Sequence, residues 1–283
     1  MPELPEAEVV ARQLRARVLG ALVKDCWIGR PDIVRQGLST LDWYRGSRLR
    51  AIERRGKSIV LALSHAGEVR YLVAELGMTG LLFFRAPEER YRKHTHLILS
   101  LEGGLEPELR YWNPRRFGRI YLLDDSGLEA FTGRRFGCDP LTVTWEEFRE
   151  IVERRRGRLK ALLMHQQVIA GIGNIYANEI LFRAGLHPYR TASRLRASAV
   201  RKLYDVMHQV LTQAILDGGS SVRDFFAPDW TEGRYKRRHL VYNKAGSPCP
   251  KARRSRAVRS RGPSFPGGSS SRGKAAPSRS RGP

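Results

Sequence analysis

The sequence predicts an α+β protein: an N-terminal β-sandwich led by one helix, then a helical domain, then a disordered tail. Three observations carry this expectation. The apolar pattern has a strand-like period between about residues 20 and 123 and a helical period after about Gly127. Glycines punctuate the first region, as they do in a sandwich or barrel. The last 34 residues are almost entirely Arg, Ser, Gly, Pro and Ala, with Phe265 their one aromatic, a composition that cannot build a core.

The elements follow in order. Residues 3–19 place Val9, Val10, Leu14 and Val18 on one face, with Pro5 early and Gly20 at the end, which predicts an amphipathic helix. The short runs SIVLAL (58–63), VRYLV (69–73), HLILSL (96–101) and RIYLL (119–123) read as strands. WEEFREIVERRR, NIYANEILFRAGL and the stretch 193–216 read as helices, and HLVY near His239 as a strand. The expected domains are 1–125, 126–235, a short segment 236–249, and the tail 250–283.

With 41% hydrophobic residues, 283 residues suffice for two cores. No run of about 18 apolar residues is present, and the N-terminus is acidic where a secretory signal would be basic and then apolar. A cytoplasmic protein is expected. Cys26, Cys138 and Cys249 are far apart and odd in number, so neither a disulfide framework nor a complete metal cluster can be read from them. The 51 basic against 28 acidic residues give a net charge of +23. Ten of the basic residues lie in 250–283, which has no acid, so the remainder keeps +13 and still points to a polyanionic partner. Charge alone does not separate a DNA enzyme from another polyanion binder.

Several motifs narrow the choice. MPELPE contains two prolines and two carboxylates that suit a helix start. RRGKSIVLAL (54–63) places Lys57 at a tight turn before an apolar strand, and a lone lysine there is ordinarily a solvated charge. ELGMTG (75–80) and NPRRFGRI (113–120) put Met78, Arg115 and Phe117 in two loops. In GRLKALLMHQQVIAGIGNIYANEILFRAGLHP (157–188) one helix ends, a glycine-rich turn follows, and a second helix begins near Asn174, so backbone N–H groups converge on a spot suited to phosphate.

Together these segments resemble the formamidopyrimidine-DNA glycosylase and endonuclease VIII family over about residues 1–249. The resemblance implies a helix-two-turn-helix element in the helical domain and a bifunctional glycosylase and abasic-site lyase for base excision repair. It implies removal of the initiator methionine, the Pro2 amine as nucleophile, Glu3 as the acid at the sugar ring oxygen, and Glu6 as a supporting carboxylate. Lys57 would reach the DNA backbone beside the lesion and counts with the catalytic group. Lys160 and Asn174 would hold the flanking phosphates. Met78, Arg115 and Phe117 would fill the gap left by an extruded nucleotide, and GGSSVRDFF (218–226) would close over the base.

The chain also departs from the family pattern. Glu75 stands where the family reads His in His-Leu-Gly-Met, and Asn113 replaces the Asp before Pro114. The family's chain continues into a four-cysteine zinc hairpin. Here only Cys249 of that set is present and no Cys or His follows it, so 236–249 reads as a remnant of the hairpin and no zinc is expected. The switch to an Arg, Ser, Gly and Pro tail resembles a change of reading frame, a genuine basic tail being the alternative. The expected substrate is double-stranded DNA carrying 8-oxoguanine, formamidopyrimidines or abasic sites, bound by a monomer associated with the nucleoid. A silent damaged-DNA-binding paralogue, endonuclease VIII-like preference for oxidised pyrimidines, and a general polyanion binder remain as alternatives.

Overall fold

The computed structural model describes residues 2–86, 88–221 and 225–250. Helix α1 spans Leu4–Val18 and buries Leu4, Ala7, Val10, Leu14 and Val18 along one face. Pro5 fits its first turn, where a missing N–H forfeits no helical bond.

Nine strands follow: β1 Leu22–Ile28, β2 Val34–Gln36, β3 Arg48–Arg55, β4 Ser58–His65, β5 Glu68–Glu75, β6 Leu81–Phe83, β7 Thr95–Glu102, β8 Glu108–Trp112 and β9 Ile120–Leu123. Hydrogen bonds join them in the order β2-β9-β5-β4-β3-β1-β7-β8-β6. This ribbon folds over itself as a sandwich. Tyr111 Oη on β8 donates to the carbonyl of Glu75 on β5 at 2.7 Å, although the two strands are far apart in the sheet order. Ile59, Leu61 and Leu72 from one half share a core with Leu97, Leu99 and Leu109 from the other. On the opposite face, Val60, Val73 and Tyr121 pack against Phe131 of helix α2, Asp125–Arg135. β4 is therefore covered on both sides, which explains why its sequence is a continuous apolar run and does not alternate.

The helical part contains α3 Trp145–Glu153, α4 Leu159–Met164, α5 Asn174–Ala184 and α6 Ala197–Leu216. α3 opens on a capping box between Thr144 and Glu147, and α5 stops at Gly185 with φ 74°. The helix expected from residue 193 begins at Ala197, after a 3-10 turn at Ala192–Arg194. Phe148, Leu163, Tyr176, Leu203 and Leu211 centre a second core.

The strand expected near His239 is not formed. A 3-10 turn spans Tyr235–Arg238 and ends at His239. The next three backbone N–H groups, of Leu240, Val241 and Tyr242, donate to the buried carboxylate of Glu179 on α5 at 3.0, 2.9 and 2.9 Å. A carboxylate thus takes the donors that a strand partner would otherwise receive.

One structural unit comprises Met1–Tyr242 and a second Asn243–Pro283. In the second, Asn243 and Gly246 take left-handed φ values of 56° and 85°. The expected disordered tail after Pro250, and residues 222–224 of the 218–226 loop, lie outside the described residues. Among those described, no helix is long and apolar enough to cross a membrane.

Candidate active site

The first turn of α1 brings Pro2 and Glu3 against the glycine-rich turn before α5. Both residues are buried, Glu3 with 1% of its surface exposed. The Glu3 carboxylate accepts from the backbone N–H of Gly173 at 2.8 Å, of Ile175 at 2.9 Å and of Tyr176 at 3.3 Å. It sits at the positive end of α5, where a carboxylate is electrostatically favoured. This corrects the expectation that these amides form a phosphate cradle, because Glu3 occupies three of them.

Lys57 and Lys160 both lie near enough to this carboxylate to feel its charge. A Cβ added to Gly173 would strike the Glu3 carboxyl carbon and come within 2.8 Å of Lys57 Nζ, so only glycine lets the three groups meet. Burial pulls the Lys57 ammonium below the ordinary lysine range, while Glu3 and Glu6 act in the opposite direction. Lys160 on α4 is 7% exposed, and burial lowers it too, against the pull of Glu3. Lys57 is therefore not the solvated charge that a lone lysine at a turn ordinarily is. Asn174 opens α5 with an exposed side chain whose Oδ1 lies 3.4 Å from Asn178 Nδ2.

Glu6 is buried behind Glu3. One oxygen accepts from the Glu3 N–H at 2.8 Å; the other accepts from Tyr176 Oη and the Ser220 N–H, both at 2.6 Å. Burial raises its carboxyl above the usual range, opposed by the Ser220 and Tyr176 donors. Ser220 Oγ in turn lies 2.8 Å from His239 Nε2. Glu6 thereby links α1, α5 and the start of the 218–226 segment, which is a supporting geometry.

Sheet register places the remaining candidates at the same end. Ser58 pairs with Glu75, and Ala74 with Ile120, so the Lys57 turn and the loops 75–80 and 113–119 leave the sheet together. Met78 is 41% and Phe117 56% exposed, which excludes a core role for either. The Arg115 guanidinium stacks 4.8 Å from the Phe117 ring centre. The Glu75 side chain accepts from Arg135 Nη1 at 2.6 Å and Tyr121 Oη at 3.1 Å. Cys249 is partly exposed, and among the described residues no three His, Cys, Asp or Glu side chains cluster as a metal site.

Sequence reasoning missed Arg54. Its side chain, 5% exposed, donates to Glu8 Oε2 at 3.0 Å, to the Gly56 carbonyl at 3.2 Å and to Asp139 Oδ2. One guanidinium so joins α1, the Lys57 turn and the segment that pairs with Ile169 through Cys138. Two adjacent arginines before a glycine gave no signal of which one turns inward.

The profile of the formamidopyrimidine-DNA glycosylase N-terminal domain matches residues 1–120, and that of its H2TH domain matches 136–225. A formamidopyrimidine-DNA glycosylase of Solibacter usitatus is 39% identical over 253 residues, covering 88% of this chain and 90% of the relative. The crystal structure of the MutM (Fpg) protein from Thermus thermophilus matches with 36% identity and a TM-score of 0.77, covering 90% of this chain and 92% of that one. A Lactococcus lactis Fpg in complex with abasic-site DNA matches at 30% identity with a TM-score of 0.77, covering 88% and 91%. Two matched domains and relatives this similar over nine-tenths of their length show that the chain belongs to the formamidopyrimidine-DNA glycosylase family.

Proposed function

We propose that the protein is a bifunctional DNA glycosylase and abasic-site lyase of base excision repair, acting on oxidised purines such as 8-oxoguanine and formamidopyrimidines. The observation that carries this reading is the buried Glu3 carboxylate, fixed beside the Pro2 backbone with Lys57 and Lys160 around it. Solved relatives support the substrate class: their complexes contain Fapy-dG, carbocyclic 8-oxo-G or an abasic site in DNA. Once Met1 is removed, the secondary amine of Pro2 attacks the sugar C1′ and the C1′–N bond breaks, releasing the base. Glu3 takes up the proton released by the attacking amine and passes it to the ring oxygen as the C1′–O4′ bond opens, which leaves the iminium. The resulting iminium acidifies the C2′ hydrogen, whose loss expels the 3′ phosphate and cuts the strand. Borohydride reduction of the iminium is the test: a covalent complex should form with 8-oxoguanine duplex. No complex with any oxidised base would favour a silent DNA-binding paralogue, and trapping with oxidised pyrimidines alone would favour endonuclease VIII-like specificity.

Lys160 and Asn174 are the phosphate-holding groups in this reading, and Met78, Arg115 and Phe117 the gap-filling ones. Lys160→Ala should weaken binding about equally for all sequences and reduce the slope of log affinity against log salt by roughly one. An unchanged slope across a salt titration would argue against a phosphate contact.

The same reading has the protein act as a monomer in the cytoplasm without zinc. A tetrahedral structural site needs four donors, and Cys249 is the single Cys or His after His239. The residues do not fit the family's metal. Metal analysis should find well under one zinc per chain. Excision should fall steeply with salt, and restoring a C-x2-C…C-x2-C hairpin after Pro248 should raise it. One zinc per chain, or a rate indifferent to the hairpin, would contradict this.

A further inference from the structure

We propose that Asn113 is a positioning residue that locks the loops 75–80 and 113–118 into a single wedge, a lock that the family's aspartate cannot form in the same way. The proposal rests on the gap-filling role given above to Met78, Arg115 and Phe117.

The geometry is a one-way hydrogen-bond chain. Tyr111 on β8 is fully buried and donates its single phenolic proton to the Glu75 carbonyl at 2.7 Å. With that proton committed, the oxygen can only accept. Asn113, also fully buried, supplies the donor through Nδ2 at 2.8 Å. The chain therefore runs from the Asn113 amide to the Tyr111 hydroxyl to the Glu75 carbonyl, from the start of one loop to the start of the other. An ionised aspartate has no proton to give. At position 113 it would have to accept from Tyr111, and the Glu75 carbonyl would lose its partner. Burial pushes the Tyr111 phenol up, so the proton stays in place.

Two glycines make the lock close-fitting. A Cβ on Gly118 would collide with the Glu75 carbonyl oxygen, with Tyr111 Oη and with Asn113 Nδ2, so the loop backbone lies directly on the chain. A Cβ on Gly77, φ 61°, would collide with the Gly118 nitrogen. The Asn113 backbone is fixed as well, its N–H donating to the His94 carbonyl at 3.0 Å. Met78, two residues before Gly80, and Phe117, one before Gly118, are thus presented by loops that cannot separate without breaking this chain.

The experiment compares single-turnover excision of 8-oxoguanine from a paired duplex with cleavage at a preformed abasic site, where no base has to leave the stack. Asn113→Asp and Tyr111→Phe are each expected to slow paired excision about five- to ten-fold, the scale of one or two neutral hydrogen bonds. Abasic cleavage should stay within about two-fold, and the double variant should be no slower than either single one, because the chain is broken once. Phe117→Ala is the control for the underlying role and should slow paired excision selectively. If Phe117→Ala shows the selective loss while Asn113→Asp matches the parent, slows both reactions equally, or adds to Tyr111→Phe, the lock is refuted. If Phe117→Ala itself shows no selectivity, the gap-filling role fails and the proposal with it.

Discussion

Acylating the Pro2 amine, or retaining Met1 in peptide linkage to it, is expected to abolish base excision and borohydride trapping while duplex affinity stays within a few-fold. An amide nitrogen has no available lone pair and cannot attack C1′. A free α-amino group titrates at about 7.7–8.0, against about 10.4 for lysine, so the processed terminus is substantially unprotonated at working pH. Binding should survive because this nitrogen is one contact among many, including the lysines and the exposed loop residues. The rival nucleophile is Lys57, whose ammonium is lowered by burial. Normal cleavage by the blocked protein would transfer the role to Lys57, and mass analysis of the trapped peptide would show which nitrogen carries the sugar.

Arg54→Met should be the most damaging substitution away from the reacting groups. It leaves Asp139, 28% exposed, without its guanidinium and the Gly56 carbonyl without its donor, while Glu8, 12% exposed, keeps only Arg12 and Arg15 at its other oxygen. Removing one partner of a buried ion pair costs about 3–5 kcal/mol. Partial exposure of Asp139 and the two arginines that Glu8 retains argue for the lower end, a melting-point drop of roughly 6–12 °C for a chain of this size. Arg54→Lys should recover only part, since an ammonium lacks the planar fork that reaches three acceptors on different segments. A melting point within about 2 °C of the parent for Arg54→Met would show that the network contributes nothing measurable.

What was legible in the sequence divides along a physical line. The period of the apolar residues located α1 to within a residue at each end and marked β4, β5, β7 and β9, because a face that packs against a neighbour leaves its spacing in the chain. Met78 and Phe117 could be picked out as loop residues, but their exposure could not, since an apolar residue near glycines suits a core equally well. Contacts made by single side chains over long separations were invisible. Glu3 binds amides 170 or more residues away, and Glu179 draws off the donors of 240–242, so a segment with strand-like composition forms no strand. Glu75 and Asn113 stood out in the sequence only as departures. Their partners Arg135, Tyr121 and Tyr111 became apparent only in three dimensions.

The seating of Glu3 at the head of α5 also sets a clock on maturation. Its acceptor oxygens are satisfied by amides of residues 173–176, so the N-terminus has no dock until that stretch has been synthesised. At 5–20 residues per second, translation leaves roughly 10–30 s between the appearance of Pro2 and that of its dock. A methionine aminopeptidase has this interval to work on an open terminus. Afterwards Glu3 is seated and buried, and a chain that reaches that point unprocessed carries its nucleophile blocked as an amide.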